Sequence, residues 1–196
     1  LSMNQLSFLG LTALAALLAP GSIAVFMFAY NLQAVPLAIV GASYSVAAFP
    51  TLASAIARGE RDAFVSHIAT AARHIFFWSL PITALIIVLR AHIVRVVLGS
   101  GAFDWTDTRL TAAAFALLSV SLVCQGLTLL LVRGYYAAGR TFVPFFVACG
   151  SAIGTIALGG FLVGFFHNEW LVEWSQNILR VAGVPGSTML TLAFAY

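Results

Sequence analysis

The chain of 196 residues contains no lysine, and charged residues of every kind make up only 8% of it. A soluble domain carries about 25% charged residues, so a surface this poor in charge points to lipid as the solvent. The basic residues are nine arginines, against six acids and four histidines. They are scattered between apolar runs, so the net charge of +3 forms no basic stripe and gives no argument for nucleic acid, and no nucleic-acid partner is expected. Cysteine is nearly absent: Cys124 and Cys149 both sit inside apolar runs, with no disulfide framework and no zinc spacing. No P-loop or dinucleotide fingerprint occurs. The chain opens Leu1-Ser2-Met3 without a charged leader and stops at Ala195-Tyr196 inside an apolar run, so no signal peptide is visible and it reads as an internal fragment of a larger protein.

Long apolar runs fill most of the sequence. The first, Leu6 to Leu18, reaches only roughly 20 Å as a helix and reads as a truncated span. The second runs from Ile23 to Ala57 without a charge, punctuated by Pro36 and Pro50. Arg58 to His74 collects Arg58, Glu60, Arg61, Asp62, His67, Arg73 and His74. It reads as an aqueous connection, with Phe64, Ile68 and Ala71 at the spacing of a helix lying on the membrane surface. A third run, Ile75 to Leu89, holds Pro81 and continues through Arg90 and Arg95 to Leu98. A polar turn over Gly99 to Arg109 follows. The fourth run, Leu110 to Val132, is free of charge and reads as one unbroken span of about 35 Å. After the basic turn Arg133 to Arg140 comes a glycine-rich fifth run, Thr141 to Phe166. Its spacings Gly150/Gly154 and Gly160/Gly164 predict close helix contacts. Residues 167–182 place Trp170, Leu171, Trp174 and Ile178 on one face, an amphipathic interfacial connection. A sixth run starts near Ser187 and is cut off. The expected fold is therefore all-α: a single polytopic membrane bundle over residues 1–196, with about six membrane segments, the first and last truncated.

All six carboxylates lie in connections, and no ionisable group occupies the middle of an apolar run. An active site needs acids, histidines or nucleophiles grouped at one depth. No catalytic residue, metal ligand or cofactor is therefore assigned, and the chain reads as not an enzyme. A transporter needs less: kinked spans and a few polar groups facing a cavity. Asn31 and Gln33, just before Pro36, are candidate substrate-binding residues. On an ideal helix Gln33, Tyr44 and Thr51 share one face and Asn31 points nearly opposite. The plainer role is hydrogen bonding to neighbouring helices. Arg133 closes the fourth run beside Tyr135-Tyr136. It either complements the helix dipole and anchors to lipid phosphate or contacts an anionic substrate. Pro36 and Pro81 are hinge candidates, with static kinks the alternative. Five arginines (58, 61, 73, 133, 140) fall on one side and four (90, 95, 109, 180) on the other, which favours the first side as cytoplasmic.

Several stretches follow one another in a family order. They are Asn31-Leu-Gln-Ala-Val-Pro36-Leu-Ala-Ile-Val-Gly41 with Ala48-Phe49-Pro50-Thr51-Leu52; Ile93-Val94-Arg95 through Gly101-Ala102-Phe103 with Asp107-Thr108 and Thr111-Ala112; and Arg133-Gly-Tyr135-Tyr136-Ala137 with Thr141 and Pro144. Together they resemble the MurJ/MviN family, the lipid II flippases of the multidrug/oligosaccharidyl-lipid/polysaccharide exporter superfamily, over about residues 4–166. The resemblance implies a two-lobe protein of 14 helices in the bacterial cytoplasmic (inner) membrane, of which this chain would supply about the seventh to twelfth, its partner being the missing N-terminal lobe. It implies a lipid-linked peptidoglycan precursor as substrate, moved among membrane lipids by alternating access. It also implies cytoplasmic faces for Arg58–His74 and Arg133–Arg140. Two positions depart from the family pattern. Asn31, after Tyr30, stands where the family often has a cavity arginine after an acid, and Arg140 stands where its turn usually has aspartate. Other exporters of the superfamily, carrying a polysaccharide lipid or a small cation, and a membrane-embedded glycosyltransferase are the alternatives.

Overall fold

A computed structural model describes residues 9–14, 21–99, 103–165, 190 and 193. The interfacial segment 167–182 and most of the sixth run lie outside the described residues. Residues 9–14 are helical. Helix α1 (Ser22–Leu37), a π-helical turn (Ala38–Ala42) and α2 (Ser43–Ala57) then form one span of 36 residues. Helix α3 (Arg61–Leu98) has 38 residues, and α4 (Trp105–Val120) is followed by α5 (Leu122–Ala137) and α6 (Phe142–Phe165). Among the described residues, three helices are long and apolar enough to cross a membrane. The α4–α5 pair, bent by 45° at Ser121, makes a fourth.

The connections follow from local chemistry. The turns after α2 and α5 place Gly59 at φ 73° and Gly139 at φ 70°, a left-handed conformation that glycine adopts without a Cβ clash. In each, the third residue past the helix closes a bond five residues back, Glu60 N–H to Ala55 O and Arg140 N–H to Tyr135 O. These are Schellman closures that satisfy the last carbonyls. At the opposite end α4 opens with a reciprocal cap. The Asp107 N–H donates to Asp104 Oδ1 (2.9 Å), and the Asp104 N–H donates to Asp107 Oδ2 (3.2 Å). Carboxylates at a helix N-terminus also suit its dipole.

The core is built around α4. Thr108 and every residue from Leu110 to Ala116 are buried, as are Leu118 and Ser119. A helix apolar on all sides is a central one. Helix α1 covers one side of α4 and α3 another, while α5 packs against α2, α3 and the π turn. Helix α6 touches mainly α5 and leaves Phe145, Phe146, Val147 and Ile153 exposed.

Four expectations change. Arg58 to His74 is not a separate surface helix, because α3 runs unbroken from Arg61 to Leu98. At about 57 Å it outreaches a hydrocarbon core of about 30 Å. The charges mark where the helix leaves lipid, not where it ends. The apolar stripe Phe64, Ile68, Ala71 faces protein: Ala71 is buried, and Ile68 and Phe64 lie against Gly134 of α5. The fourth run is not one straight span but breaks at Ser121. Among the described residues, a Cβ added at Gly150, Gly154 or Gly160 would meet nothing within 4 Å. The close approach occurs instead between Gly41 and Gly126, where a Cβ on Gly41 would lie 2.9 Å from the Gly126 Cα. Last, Gln33, Tyr44 and Thr51 do not share a face. The π turn adds a residue to one turn, so the buried face of Gln33 continues at Ser45 and Leu52, while Tyr44 is half-buried and Thr51 exposed.

Candidate substrate-facing site

Gln33 is 1% exposed, inside the contact of α1 with α4. Its Nε2 donates to the Leu118 carbonyl (2.9 Å) and to Ser121 Oγ (3.3 Å). Gln125 Nε2 donates to the same hydroxyl at 2.6 Å, and that hydroxyl donates to the Leu118 carbonyl at 2.6 Å. From α3, Thr83 Oγ1 donates to the Ser119 carbonyl (3.2 Å). The amides and hydroxyls thus converge on the place where α4 ends. A helix end leaves carbonyls without helical donors, and in lipid no water can replace them. Gln33 and Thr83 supply donors from two other helices. Spacing in the sequence does not distinguish Ser121, Gln125 or Thr83, although Ser119, Ser121, Gln125 and Thr128 are the hydroxyl and amide residues of the fourth run from Ser119 on.

Asn31 lies on the opposite side of α1 and is exposed. Its neighbours at helical spacing, Met27, Phe28, Val35 and Ile39, are exposed as well. An amide in such a stripe is costly against lipid chains, because nothing there can hydrogen-bond to it. The stripe therefore suits a cavity wall or a further helix. Phe28 makes an edge contact with Phe103 at 5.9 Å between ring centroids. Tyr44 stacks on His74 at 5.6 Å, with planes 8° apart, and the His74 Nδ1 lies 2.8 Å from the Thr70 carbonyl.

Arg133 is half-buried near the end of α5, beside the exposed Tyr135 and Tyr136. Twelve residues separate it from Ser121, about 18 Å along a helix. The structure therefore does not bring Asn31, Gln33 and Arg133 together. Two of them sit on opposite faces of one helix, and the third lies near a span end. Pro36 is half-buried two residues before the π turn, and Pro81 is exposed inside the continuous α3. Among the described residues, no three His, Cys, Asp or Glu side chains gather as metal ligands would.

Long antiparallel apolar helices, one of them broken near mid-length and joined to its neighbours by amides and hydroxyls, define a multi-pass α-helical membrane protein. The family model described as Lipid II flippase MurJ matches residues 1–172, and the chain belongs to that family. Relatives named probable lipid II flippase MurJ include one from Bdellovibrio bacteriovorus, 27% identical over 84% of this chain and 30% of its own length. Another, from Thermotoga maritima, is 27% identical over 93% of this chain and 37% of its own length. The chain thus spans about a third of the length of the relatives it matches. A solved structure described as lipid II flippase MurJ in an inward closed conformation superposes with a TM-score of 0.76 at 20% identity. That match covers 98% of this chain and 37% of the other, which establishes a common fold.

Proposed function

We propose that this chain is part of a flippase that carries a lipid-linked peptidoglycan precursor, lipid II, across the bacterial cytoplasmic membrane by alternating access, making and breaking no bond. The observation that carries the reading is the family match over residues 1–172. In this reading the Asn31 stripe faces the cavity, opposite the rest of the protein. Arg133, with its neighbouring tyrosines, meets substrate phosphate or lipid headgroups at the cytoplasmic end. Neutral Asn31 cannot pair a pyrophosphate as an arginine does, so that charge would be met elsewhere in the protein. The same substitution favours a second reading, an exporter of the same superfamily whose substrate carries less charge at this depth. Depleting the protein in its host should leave lipid II in the inner leaflet, read by an outer-leaflet accessibility assay on intact cells. Unchanged translocation would sink the lipid II reading. Recovery in depleted cells by an unrelated lipid II flippase would exclude the second.

A further inference from the structure

The described helices hold two separate apolar cores stacked along the spans. One includes Phe26, Ala29, Ile86, Val94, Leu118 and Leu122. The other is Val40, Ala71, Ile75 and Leu130. The changeover falls at one level on all three spans. On the first span it lies between Leu37 and Val40, and on α3 it lies at Ile82, which touches both cores. On the third it lies between Leu122 and Leu127.

Each span is irregular at that level. The first has Pro36 and the π turn. Helix α3 has Pro81, which deprives the Phe77 carbonyl of its helical donor. The third has the 45° break at Ser121. A small void lies between them, bounded by Pro36, Val40, Gly41, Ser79, Ile82 and Leu122 and too tight to hold water. Atoms lining such a gap lose dispersion contacts, so the seam is weaker than either core.

We infer that this level is a joint between two bodies. One consists of α1, α4 and the second half of α3. The other consists of α2, α5 and the first half of α3. Gln33 is the positioning residue of the joint. Its amide holds the end of α4 through the Leu118 carbonyl and reaches α5 through Ser121 Oγ, which Gln125 also binds. Gly41 against Gly126 is the apolar contact beside it. Pivoting there swings the arginine-rich ends of α2, α3 and α5 as a unit. Whether that swing opens a cavity for lipid II rests on the flippase reading; the joint itself does not.

The test uses the full-length protein in lipid nanodiscs, with Cys124 and Cys149 replaced by serine, and measures distances between spin labels. One pair, Trp105→Cys with Tyr136→Cys, crosses the joint. A second, Trp105→Cys with Val88→Cys, lies within one body; all three sites are exposed. Straightening two arms of about 24 Å from a 45° bend lengthens the first distance by about 4 Å. The expected result is a shift of about that size in Gln33→Leu, with the within-body distance unchanged. If Gln33→Leu loses the within-body distance it has not folded, and Gly41→Ala decides instead. Its new Cβ presses on the Gly126 backbone and pries the seam with the amide link intact. A cross-joint distance that stays put while the control holds, in whichever variant decides, overturns the joint. No transported substrate enters the measurement, so a failed translocation assay with a moving joint sinks the flippase reading alone.

Discussion

Asn31 and Gln33 are two residues apart, both amides, and the structure gives them opposite surroundings. Gln33 is buried with its Nε2 shared between Leu118 and Ser121, whereas Asn31 is exposed amid apolar neighbours. Their leucine variants should therefore separate. Gln33→Leu removes donors from a helix end and should lower stability by about 1 kcal/mol, the order found for hydrogen bonds between membrane helices. Asn31→Leu should leave stability within about 0.5 kcal/mol, as surface changes do. If Asn31 lines the cavity, that variant should instead cut transport several-fold. Thermal unfolding in detergent beside a translocation assay reads both, and equal stability losses would contradict the assignment. Spacing alone located both residues on one apolar helix. It could not say which side of that helix a neighbour covers.

At the scale of elements, apolar runs predicted the spans well and their interiors poorly. Absence of charge reports lipid, and lipid tolerates a break as long as its backbone groups find partners. The Ser121 break satisfies itself with side chains from α1 and α3, so run length carried no trace of it. The π turn was invisible for a similar reason: one extra residue leaves composition unchanged but rotates everything after it by about 100°. Deleting Ile39, an exposed residue within that turn, should restore α-helical register and rotate Ser45 and Leu52 off the buried face. The expected outcome is loss of the folded protein, seen as protease sensitivity in membranes. Normal resistance would mean that the helix absorbs the change. Arg61 to His74 shows the converse, where charge marks a solvent boundary inside a continuous helix.

For the molecule as a whole, the turns at 58–60 and 138–141 lie at one end of the bundle, and Gly99, just past α3, and Asp104, the cap of α4, lie at the other, because the spans alternate in direction. Cysteines at Glu60 and Arg140 should react with an impermeant thiol reagent only from the cytoplasmic side, and one at Trp105 only from outside, in a Cys124→Ser, Cys149→Ser background. Labelling of Glu60→Cys and Trp105→Cys from the same side would refute the arrangement. The Asn31 stripe and α6 remain open surfaces among the described residues, in a chain that spans about a third of the relatives it matches.

The amino-acid sequence by itself determined that the chain is helical, membrane-spanning and of the MurJ family. Charge scarcity and apolar run length are properties of composition along the chain, and the family motifs follow one another at family spacing. Only the tertiary structure decided which polar residues are buried and which are open, that the register shifts after Ala38, and that three spans are irregular at one common level. Those facts depend on what stands beside each helix, and contacts between residues some 80 positions apart, as Gln33 and Leu118 are, leave no periodic trace in the sequence.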